Sequence, residues 1–382
     1  MIRIPVGVAG LAPGGLRGPR GEHRSRWRMV MGTFGLGMTP RDGKGDVVEF
    51  RNRGRVGVGK LLGLVLLVGF AALRPAAARA QEEVVKLGEV LAISNIGIYA
   101  AIEKGYFKDE GIWNEIATFA SAAKMPPALA AGELEISMGT TGAGLFNAIG
   151  AGEPFRIVAD KGQARAGTGY VLLAVRKDLV DSGQVKSVKD LKGKRVALYA
   201  KGAIHAYLLG KMAEEVGLTI RDFDLIYMGA PPQVTAFETK AIDATITAEP
   251  WAARLEELGL AAKFRTPEQV KGLGPVQIAS IIYSGKFIRE RRGVAQHWMS
   301  AYIKGARFYA ERGSKDDEIA AVIEKYTKIP AKVVKAAIPH HQDPQGKPNL
   351  ESLADQVAWL VANGYMQQPV GVEKAVDLSF LK

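Results

Sequence analysis

The stretch VVKLGEVLAISNIGIYAAIEKG, residues 84–105, decides the fold. Its first eight residues are mostly apolar and predict a strand over residues 84–91. Residues 97–104 are predicted to form a helix, which ends at Gly105, a residue that commonly terminates helices. A strand followed at once by a helix is the unit from which open α/β sheets are built. We therefore expect the intervening loop, residues 92–96, to lie where such sheets bind ligands.

The alternation of short apolar strands and helices continues to residue 283. The pattern predicts a first run with further strands at 116–119, 134–138 and 155–159, and a second run from the strand 170–175 to the long apolar strand 276–283. This order predicts mainly parallel sheets covered by helices. Residues 289–382 are predicted to be nearly all helical. The expected architecture is α/β, with two α/β lobes, a cleft between them and a helical C-terminal tail.

The formal net charge of +12 is concentrated near the amino terminus. Residues 1–80 contain 14 Lys/Arg and 4 Asp/Glu and so carry +10, whereas residues 81–382 carry only +2. A nucleic-acid-binding domain needs its positive charge on a folded face. The charge distribution therefore argues against nucleic acid as a partner.

The chain contains no cysteine. Disulfides, thiolate nucleophiles, cysteine-ligated zinc and iron–sulfur clusters are therefore excluded, as is a lipoprotein anchor on a cysteine. The sequence also lacks the signatures of serine hydrolases, zinc proteases and phosphate-binding loops. His340 and His341 are adjacent and would point apart on a helix, so we expect no metal site there. We predict neither an enzyme, nor a cofactor, nor a bound metal.

Residues 51–80 have the three parts of a secretory signal peptide. A basic stretch precedes an uncharged apolar run over residues 61–73, and Ala78 and Ala80 form an A-x-A cleavage site. The run of 13 residues is too short to span a bilayer as a helix, which needs about 20. We expect cleavage after Ala80, export to the periplasm, and no stable membrane insertion of the mature protein.

Residues 1–50 are rich in Gly, Arg and Pro and show no clear period. They lengthen the region before the apolar run well beyond what a signal peptide needs. We interpret them as the result of a start codon assigned too early, with the true start at Met38 or near Arg55. Residues 1–80 are together assigned to a leader.

Two predicted helix starts carry groups suited to an anion. The hydroxyls of Thr140 and Thr141 lie beside free backbone N–H groups, which attract anions together with the helix dipole. Simple N-capping by either threonine would account for the same residues. At the equivalent helix start of the second run, Gly202 and Ala203 let a ligand approach the backbone closely. His205 is there either a ligand contact or a packing residue.

Two further pairs of polar residues follow predicted strands. Glu249 could accept hydrogen bonds from a ligand and Trp251 could stack on one. Alternatively, Glu249 is a first-turn residue favoured by the helix dipole and Trp251 a half-buried aromatic residue. Asp160 and Lys161 also end a predicted strand, and we expect them to form an internal ion pair.

Several motifs occur in an order that resembles the nitrate/sulfonate/taurine-type solute-binding proteins of ATP-binding-cassette (ABC) importers. YAAIEKGYFKDEGI, residues 99–112, is similar to that family's A-x-E-K-G-Y-F-K-D-E-G-L run. ALAAGELEI, residues 128–136, is similar to A-L-x-x-G-E-I-D. Further similar segments are residues 188–197, residues 241–244 with 249–251, residues 363–365 and residues 376–381. The resemblance covers residues 84–382.

The resemblance implies a type II periplasmic-binding-protein fold with two chain crossovers. Lobe 1 would comprise residues 82–169 and 284–382, and lobe 2 residues 170–283. The lobes would close on a small-molecule ligand, which the protein, expected to be a monomer, would deliver to a permease and an ATPase. The ligand contacts implied by the resemblance are Ser94, Asn95, Thr140, Thr141, Gly202, Ala203, His205, Glu249 and Trp251.

One segment departs from the family pattern. Residues 201–205 read KGAIH, where sulfonate and taurine binders usually carry hydroxyl residues. The departure leaves room for a bulkier carboxylate or aromatic ligand. Two alternatives to an importer subunit stay open. One is an enzyme of thiamine-pyrimidine synthesis, whose chemistry in this fold draws on a cysteine-rich iron motif that the chain lacks. The other is a ligand sensor without a transporter.

Overall fold

The described strands form two separate five-stranded sheets. The computed structural model describes residues 82–381, so the predicted leader, residues 1–80 with its apolar core 61–73, lies outside the described residues. The strands are β1 (Glu83–Glu89), β2 (Ile112–Thr118), β3 (Ile136–Thr140), β4 (Arg156–Ala164), β5 (Val171–Arg176), β6 (Arg195–Leu198), β7 (Asp224–Tyr227), β8 (Ala244–Ala248), β9 (Ala261–Arg265) and β10 (Val276–Tyr283).

Helices cover both sheets and make up most of the C-terminal part. They are α1 (Ile96–Glu103), α2 (Tyr106–Asp109), α3 (Met125–Ala130), α4 (Ala143–Gly150), α5 (Lys177–Asp181), α6 (Ile204–Glu214), α7 (Ala230–Glu238), α8 (Trp251–Glu257), α9 (Gly285–Glu290), α10 (Arg292–Arg312), α11 (Asp317–Thr327), α12 (Ala331–Ala336), α13 (Leu350–Ala362) and α14 (Val372–Ala375).

The two sheets have the same topology. The first has the order β2-β1-β3-β10-β4 and the second the order β7-β6-β8-β5-β9. In each sheet the first three strands are parallel, and the fourth runs antiparallel to both of its neighbours. We call the first sheet with its helices the first lobe, and the second sheet with its helices the second lobe. The predicted α/β fold with two lobes and a helical C-terminal tail is confirmed.

The prediction of mainly parallel sheets holds for four of the five strands in each sheet, and the fifth, which arrives from the other lobe, runs antiparallel to its neighbours. The chain crosses between the lobes twice, through residues 165–170 and residues 266–275. A strand that enters a sheet directly from the opposite lobe runs against the strands already there. Both sheets are therefore mixed.

The predicted boundary between the lobes is wrong for β10. The prediction assigned residues 170–283 to lobe 2, but β10 pairs with β3 and β4 in the first sheet. The second sheet instead ends with β9, which was not predicted as a strand. All eight residues of β10 are buried. A fully buried strand reads as a continuous apolar run in any sheet, so its sequence does not identify its partners.

The first strand–helix unit follows the prediction closely. Val85 and Leu87 of β1 are fully buried, and α1 spans Ile96–Glu103. Gly105 has a φ of 78°, and its N–H bonds to the carbonyl of Ile102. This left-handed conformation is one that glycine adopts without a steric penalty.

A close contact between two helices holds α1 in place. A Cβ atom on Gly305 of α10 would lie 2.0 Å from the carbonyl oxygen of Gly97. Only the absence of a side chain at residue 305 therefore allows α10 to pack directly on the backbone of α1. The loop before α1, which carries Ser94 and Asn95, is thereby held against the lobe.

The core of the first lobe yields a stability prediction. The indole of Trp298 is fully buried, packs against Phe107 and Tyr302, and donates to Asn114 Oδ1 at 2.9 Å. We expect Trp298→Ala to lower the free energy of unfolding by about 3–5 kcal/mol, as large cavities in cores do. Chemical denaturation measures the change.

Trp113 provides the matched control, because its side chain is 47% exposed. Trp113→Ala should change the free energy of unfolding by less than about 1 kcal/mol. Equal losses in both variants would contradict the packing described for Trp298.

Candidate functional site

The two lobes touch where helix starts of both lobes meet. The N–H of Ala143, at the start of α4, donates to the carbonyl of Gly202 at 2.9 Å, and Gly142 pairs with Ala203. Gly202 has a φ of 66°, and a Cβ atom there would lie 2.9 Å from the Cβ of Ala143. Glycine at residue 202 is thus required both for its backbone conformation and for the close approach of the lobes.

Two further hydrogen bonds join the lobes on another side of the cleft. The N–H of Ile93 donates to the carbonyl of Glu249 at 2.8 Å, and the indole N–H of Trp251 donates to the carbonyl of Leu91 at 3.2 Å. The cleft is therefore closed in this structure.

A small cavity of about 20 Å³ lies where the lobes meet. A space of this size holds about one water molecule. Its lining is mostly apolar and comes from both lobes: Val90, Ala92, Ser94, Ala122, Met138, Gly139, Thr140, Lys161, Ile278 and Ala279 from the first, and Tyr170, Val171, Tyr199, His205 and Ala248 from the second. Of the predicted contacts, Ser94, Thr140 and His205 line this cavity.

Asn95 lies behind the cavity and connects buried polar groups. Its amide donates to Glu89 Oε2 at 2.9 Å, and its Oδ1 accepts from the ammonium of Lys161. Tyr99 also donates to Glu89 Oε2, at 2.7 Å. Burial raises the pKa of Glu89. Asn95 is thereby a structural neighbour of Lys161, with its own side chain fully buried.

Lys161 and Asp160 do not form the predicted ion pair with each other. Both lie inside β4, which extends past them to Ala164 and whose pairing with β10 is irregular at Lys161, and their side chains bind different partners. The Asp160 carboxylate accepts from Gln277 Nε2 at 2.7 Å and from the N–H of Asp343 at 2.8 Å. Burial raises the pKa of Asp160 to about 6 and lowers the pKa of Lys161 to about 8.

The second-lobe wall is built from aromatic side chains. His205 stacks on Tyr199, with ring centroids 4.0 Å apart, and the Tyr199 hydroxyl lies 2.9 Å from Thr247 Oγ1. Burial lowers the pKa of His205 to about 3, which keeps the imidazole neutral. Among the residues that the structure describes, neither His205 Nδ1 nor the Tyr170 hydroxyl has a hydrogen-bond partner.

Glu249 is fully buried, and its side chain holds together segments beside the cleft. Its carboxylate accepts from Lys263 Nζ at 3.0 Å, from the N–H of Ile338 at 3.0 Å and from the N–H of Ala253 at 2.9 Å. These contacts occupy both carboxylate oxygens. The side chain therefore holds the start of α8 and the tail segment near Ile338 together.

The remaining predicted contacts lie around the cavity. Thr141 is buried and donates to Gln356 Oε1 of α13 at 2.6 Å, an arrangement different from a helix cap. Gly202 and Ala203 form the lobe-to-lobe contact, and Trp251 bonds across the cleft. These residues surround the cavity but do not line it.

Sequence reasoning missed three polar residues that line the cavity, namely Lys161, Tyr170 and Tyr199. Lys161 was considered as an ion-pair partner. Its place in a fully buried strand, RIVADKGQA, was the available signal, because a lysine is almost never fully buried without a specific partner. Tyr170 and Tyr199 stand at strand ends, where their function depends on the other lobe.

None of the helices within residues 82–381 combines the length and the apolar character needed to cross a membrane. Within the same range, no three His, Asp or Glu side chains are grouped so that they could hold a metal ion. His340 and His341 therefore belong to no such group.

The buried histidine predicts a pH dependence of stability. The pKa of His205 is about 3 in the folded protein and 6.5 for an ordinary histidine, so the unfolded chain binds the proton more readily. His205 therefore destabilises the fold as the pH falls from 6.5 towards 3, by roughly 1.4 kcal/mol per pH unit. His205→Phe, which retains an aromatic ring against Tyr199, should lose less stability on acidification.

Denaturation at a series of pH values between 7 and 4 measures this slope. Trp113→Phe is the control, because Trp113 is 47% exposed and has no group that titrates, and this variant should keep the slope of the unchanged protein. An unchanged slope in His205→Phe would contradict the neutral, buried histidine.

Solved structures of several solute-binding proteins share this fold. The alkanesulfonate-binding protein SsuA from Xanthomonas axonopodis pv. citri, bound to MOPS, is 20% identical, with a TM-score of 0.64 over 78% of this chain and 99% of that one. The aliphatic sulphonate binding protein SsuA from Escherichia coli is 18% identical, with a TM-score of 0.59 over 77% and 92% of the chains.

The periplasmic nitrate-binding protein NrtA from Synechocystis PCC 6803 is 14% identical, with a TM-score of 0.64 over 78% of this chain and 86% of that one. At these identities the likeness establishes the periplasmic-binding-protein fold. A comparison with curated protein sequences found no match. The sequence model of one family, described as NMT1/THI5 like, matches residues 93–314, which is more than half of the chain. The chain therefore belongs to the NMT1/THI5-like family.

Proposed function

We propose that this protein is the periplasmic substrate-binding subunit of an ABC importer. It closes on a small organic or anionic solute, of the sulfonate, carboxylate or heteroaromatic class, and delivers it to a permease and its ATPase. The observation that carries the proposal is the cavity between the lobes, lined by Ser94, Thr140 and Lys161 from one lobe and by Tyr170 and His205 from the other. A ligand that touches both walls favours the closed form by its differential affinity.

Ligand binding requires that the lobes separate first. The cavity of about 20 Å³ is far smaller than the 300–1,000 Å³ of typical small-molecule pockets. Opening breaks the hydrogen bonds Ala143–Gly202, Ile93–Glu249 and Trp251–Leu91, while the two crossovers, residues 165–170 and 266–275, serve as the hinge.

Export and partners complete the proposal. The predicted signal peptide with cleavage after Ala80 directs the mature chain to the periplasm, where it acts as a monomer that docks on its permease. No catalytic role is proposed, since neither the buried Glu249 nor the neutral His205 is placed beside a nucleophile.

A ligand screen tests the solute-binding function. The purified protein is heated with taurine, methanesulfonate, nitrate, benzoate and 4-amino-5-hydroxymethyl-2-methylpyrimidine, each in excess. A solute that binds only the folded protein stabilises it by about 2.7 kcal/mol at 100 times its dissociation constant, so a binder should raise the melting temperature clearly. Formation of a pyrimidine product from candidate precursors would instead support the enzymatic alternative.

A disulfide across the cleft tests the opening step. Gly142 and Ala203 form an isolated antiparallel pair between the lobes. A Cβ atom at residue 142 would lie 2.9 Å from the carbonyl oxygen of Gly202 and 3.1 Å from the Cα of Ala203, so the backbone must shift slightly to accept a disulfide between these two residues. Because the chain has no other cysteine, the double variant Gly142→Cys/Ala203→Cys can form only this bond within one molecule. The oxidised protein should lose solute binding, and the same sample after reduction should regain it.

The reduced double variant is the matched control, since it contains the same two substitutions. Binding of equal strength and rate to both forms would show that solute does not enter between the lobes. That result would contradict the clamping mechanism.

A further inference from the structure

Lys161 is a buried cation that lies against the cavity between the lobes. It is 2% exposed and is one of the largest fully buried side chains of the described protein. Its ammonium donates to Ser94 Oγ at 3.2 Å and to Asn95 Oδ1. Both acceptors are neutral, and no carboxylate among residues 82–381 lies within ion-pair distance of it. An ammonium has three donors, so one remains.

The two nearest carboxylates do not compensate this charge by contact. Asn95 stands between Lys161 and Glu89, and Glu89 already accepts from Asn95, Tyr99 and Thr118. Asp160 is bound by Gln277 and by the backbone N–H groups of Gly162 and Asp343. A buried charge without a contacting partner is strongly disfavoured. An anion that contacts the ammonium therefore supplies the favourable electrostatic interaction that the protein itself does not provide.

The hydroxyl of Tyr170 provides a second donor at the same place. Tyr170 is 1% exposed, and its hydroxyl has no hydrogen-bond partner in the described part of the chain. A Cβ atom on Gly162 would lie 2.7 Å from this hydroxyl and 3.1 Å from the Cβ of Ser94, whose own hydroxyl accepts from Lys161. Tyr170 is the last residue of the crossover that enters the second lobe, and Lys161 lies on β4 of the first lobe.

The rest of the wall has no feature that would bind a cation. The cavity lining contains no Asp or Glu, and it is mostly aliphatic, with Val90, Met138 and Ile278 among its residues. The aromatic pair of His205 and Tyr199 closes the second-lobe side. Two donors side by side against an apolar wall match the two oxygens of a carboxylate attached to an apolar body. The third oxygen of a sulfonate would need a further donor, for which the first-lobe wall offers only the hydroxyls of Ser94 and Thr140.

We propose that the solute is a carboxylate with an apolar body, held by one oxygen on Lys161 and the other on Tyr170. This inference rests on the proposed solute-binding function and names its substrate class. Lys161 and Tyr170 are then specificity-determining residues, and the ligand itself supplies the charge that closes the cleft.

Matched acid and amide pairs test the charge requirement. The probes are acetate with acetamide, benzoate with benzamide and phenylacetate with phenylacetamide, together with benzenesulfonate, measured by calorimetry with the full protein at pH 7. At least one acid should bind, and its amide should bind about 10- to 100-fold more weakly, the ratio expected for loss of a hydrogen bond to a charged group.

Two substitutions test the residues. Lys161→Met removes the charge and keeps an apolar chain of similar length, so the variant should melt, without ligand, no lower than the unchanged protein. It should bind the preferred acid about 10- to 100-fold more weakly and its amide equally well. Tyr170→Phe should lower the affinity for the preferred acid by a smaller factor. Lys201→Met is the matched control at an exposed lysine of the cleft loop and should leave the affinity for the acid unchanged.

Each other outcome has a definite meaning. Amides that bind as tightly as acids, or acid binding that survives Lys161→Met, overturn the inference while solute binding itself stands. Preference for benzenesulfonate over benzoate overturns the carboxylate assignment. If no probe binds, the inference is wrong, and the broader solute screen with the cleft disulfide decides separately whether the proposed function stands. A loss of affinity in Lys201→Met of the same size would move the anion site to the loop.

Discussion

The structure depends on direct backbone contact between the lobes at the starts of α4 and α6. The hydrogen bond from Ala143 to Gly202 and the pairing of Gly142 with Ala203 are possible only because these residues have no side chain beyond a methyl group. This contact brings the carboxyl ends of the strands of both sheets to one place. The polar groups that line the cavity are held within their own lobes, Lys161 by Ser94 and His205 by Tyr199, and the contact between the lobes brings the two sets together.

Burial in the closed cleft determines the charge state of its groups. Loss of water lowers the pKa of His205 to about 3 and raises the pKa of Glu89, so both are biased towards their neutral forms. Lys161 is the exception, since its pKa of about 8 still leaves it charged at neutral pH. A cleft with one cation, neutral donors and aliphatic walls has an electrostatic preference for a single negative charge. The same preference also favours closure once that charge is present.

The C-terminal tail contacts both lobes beside the cleft. Helix α13 accepts from Thr141 of the first lobe through Gln356, and Trp359 donates to Glu214 of the second lobe at 2.6 Å. The tail segment near Ile338 bonds to Glu249 beside the cleft. Residues of the tail therefore respond to the position of the second lobe, although they follow the first sheet in the chain.

Local sequence determined the elements of this protein, because hydrophobic period and glycine stops act within a few residues. The unit from β1 to Gly105, strands β5 and β10, and the positions of Ser94, Thr140 and His205 at strand or helix ends all follow from such patterns. Only the tertiary structure decided which sheet receives β10, that Asp160 and Lys161 bind different partners, and that Tyr170 and Lys161 line one cavity. The physical reason is that a buried apolar strand, a lysine and a tyrosine obtain their partners from segments distant in sequence, and no local pattern encodes that pairing.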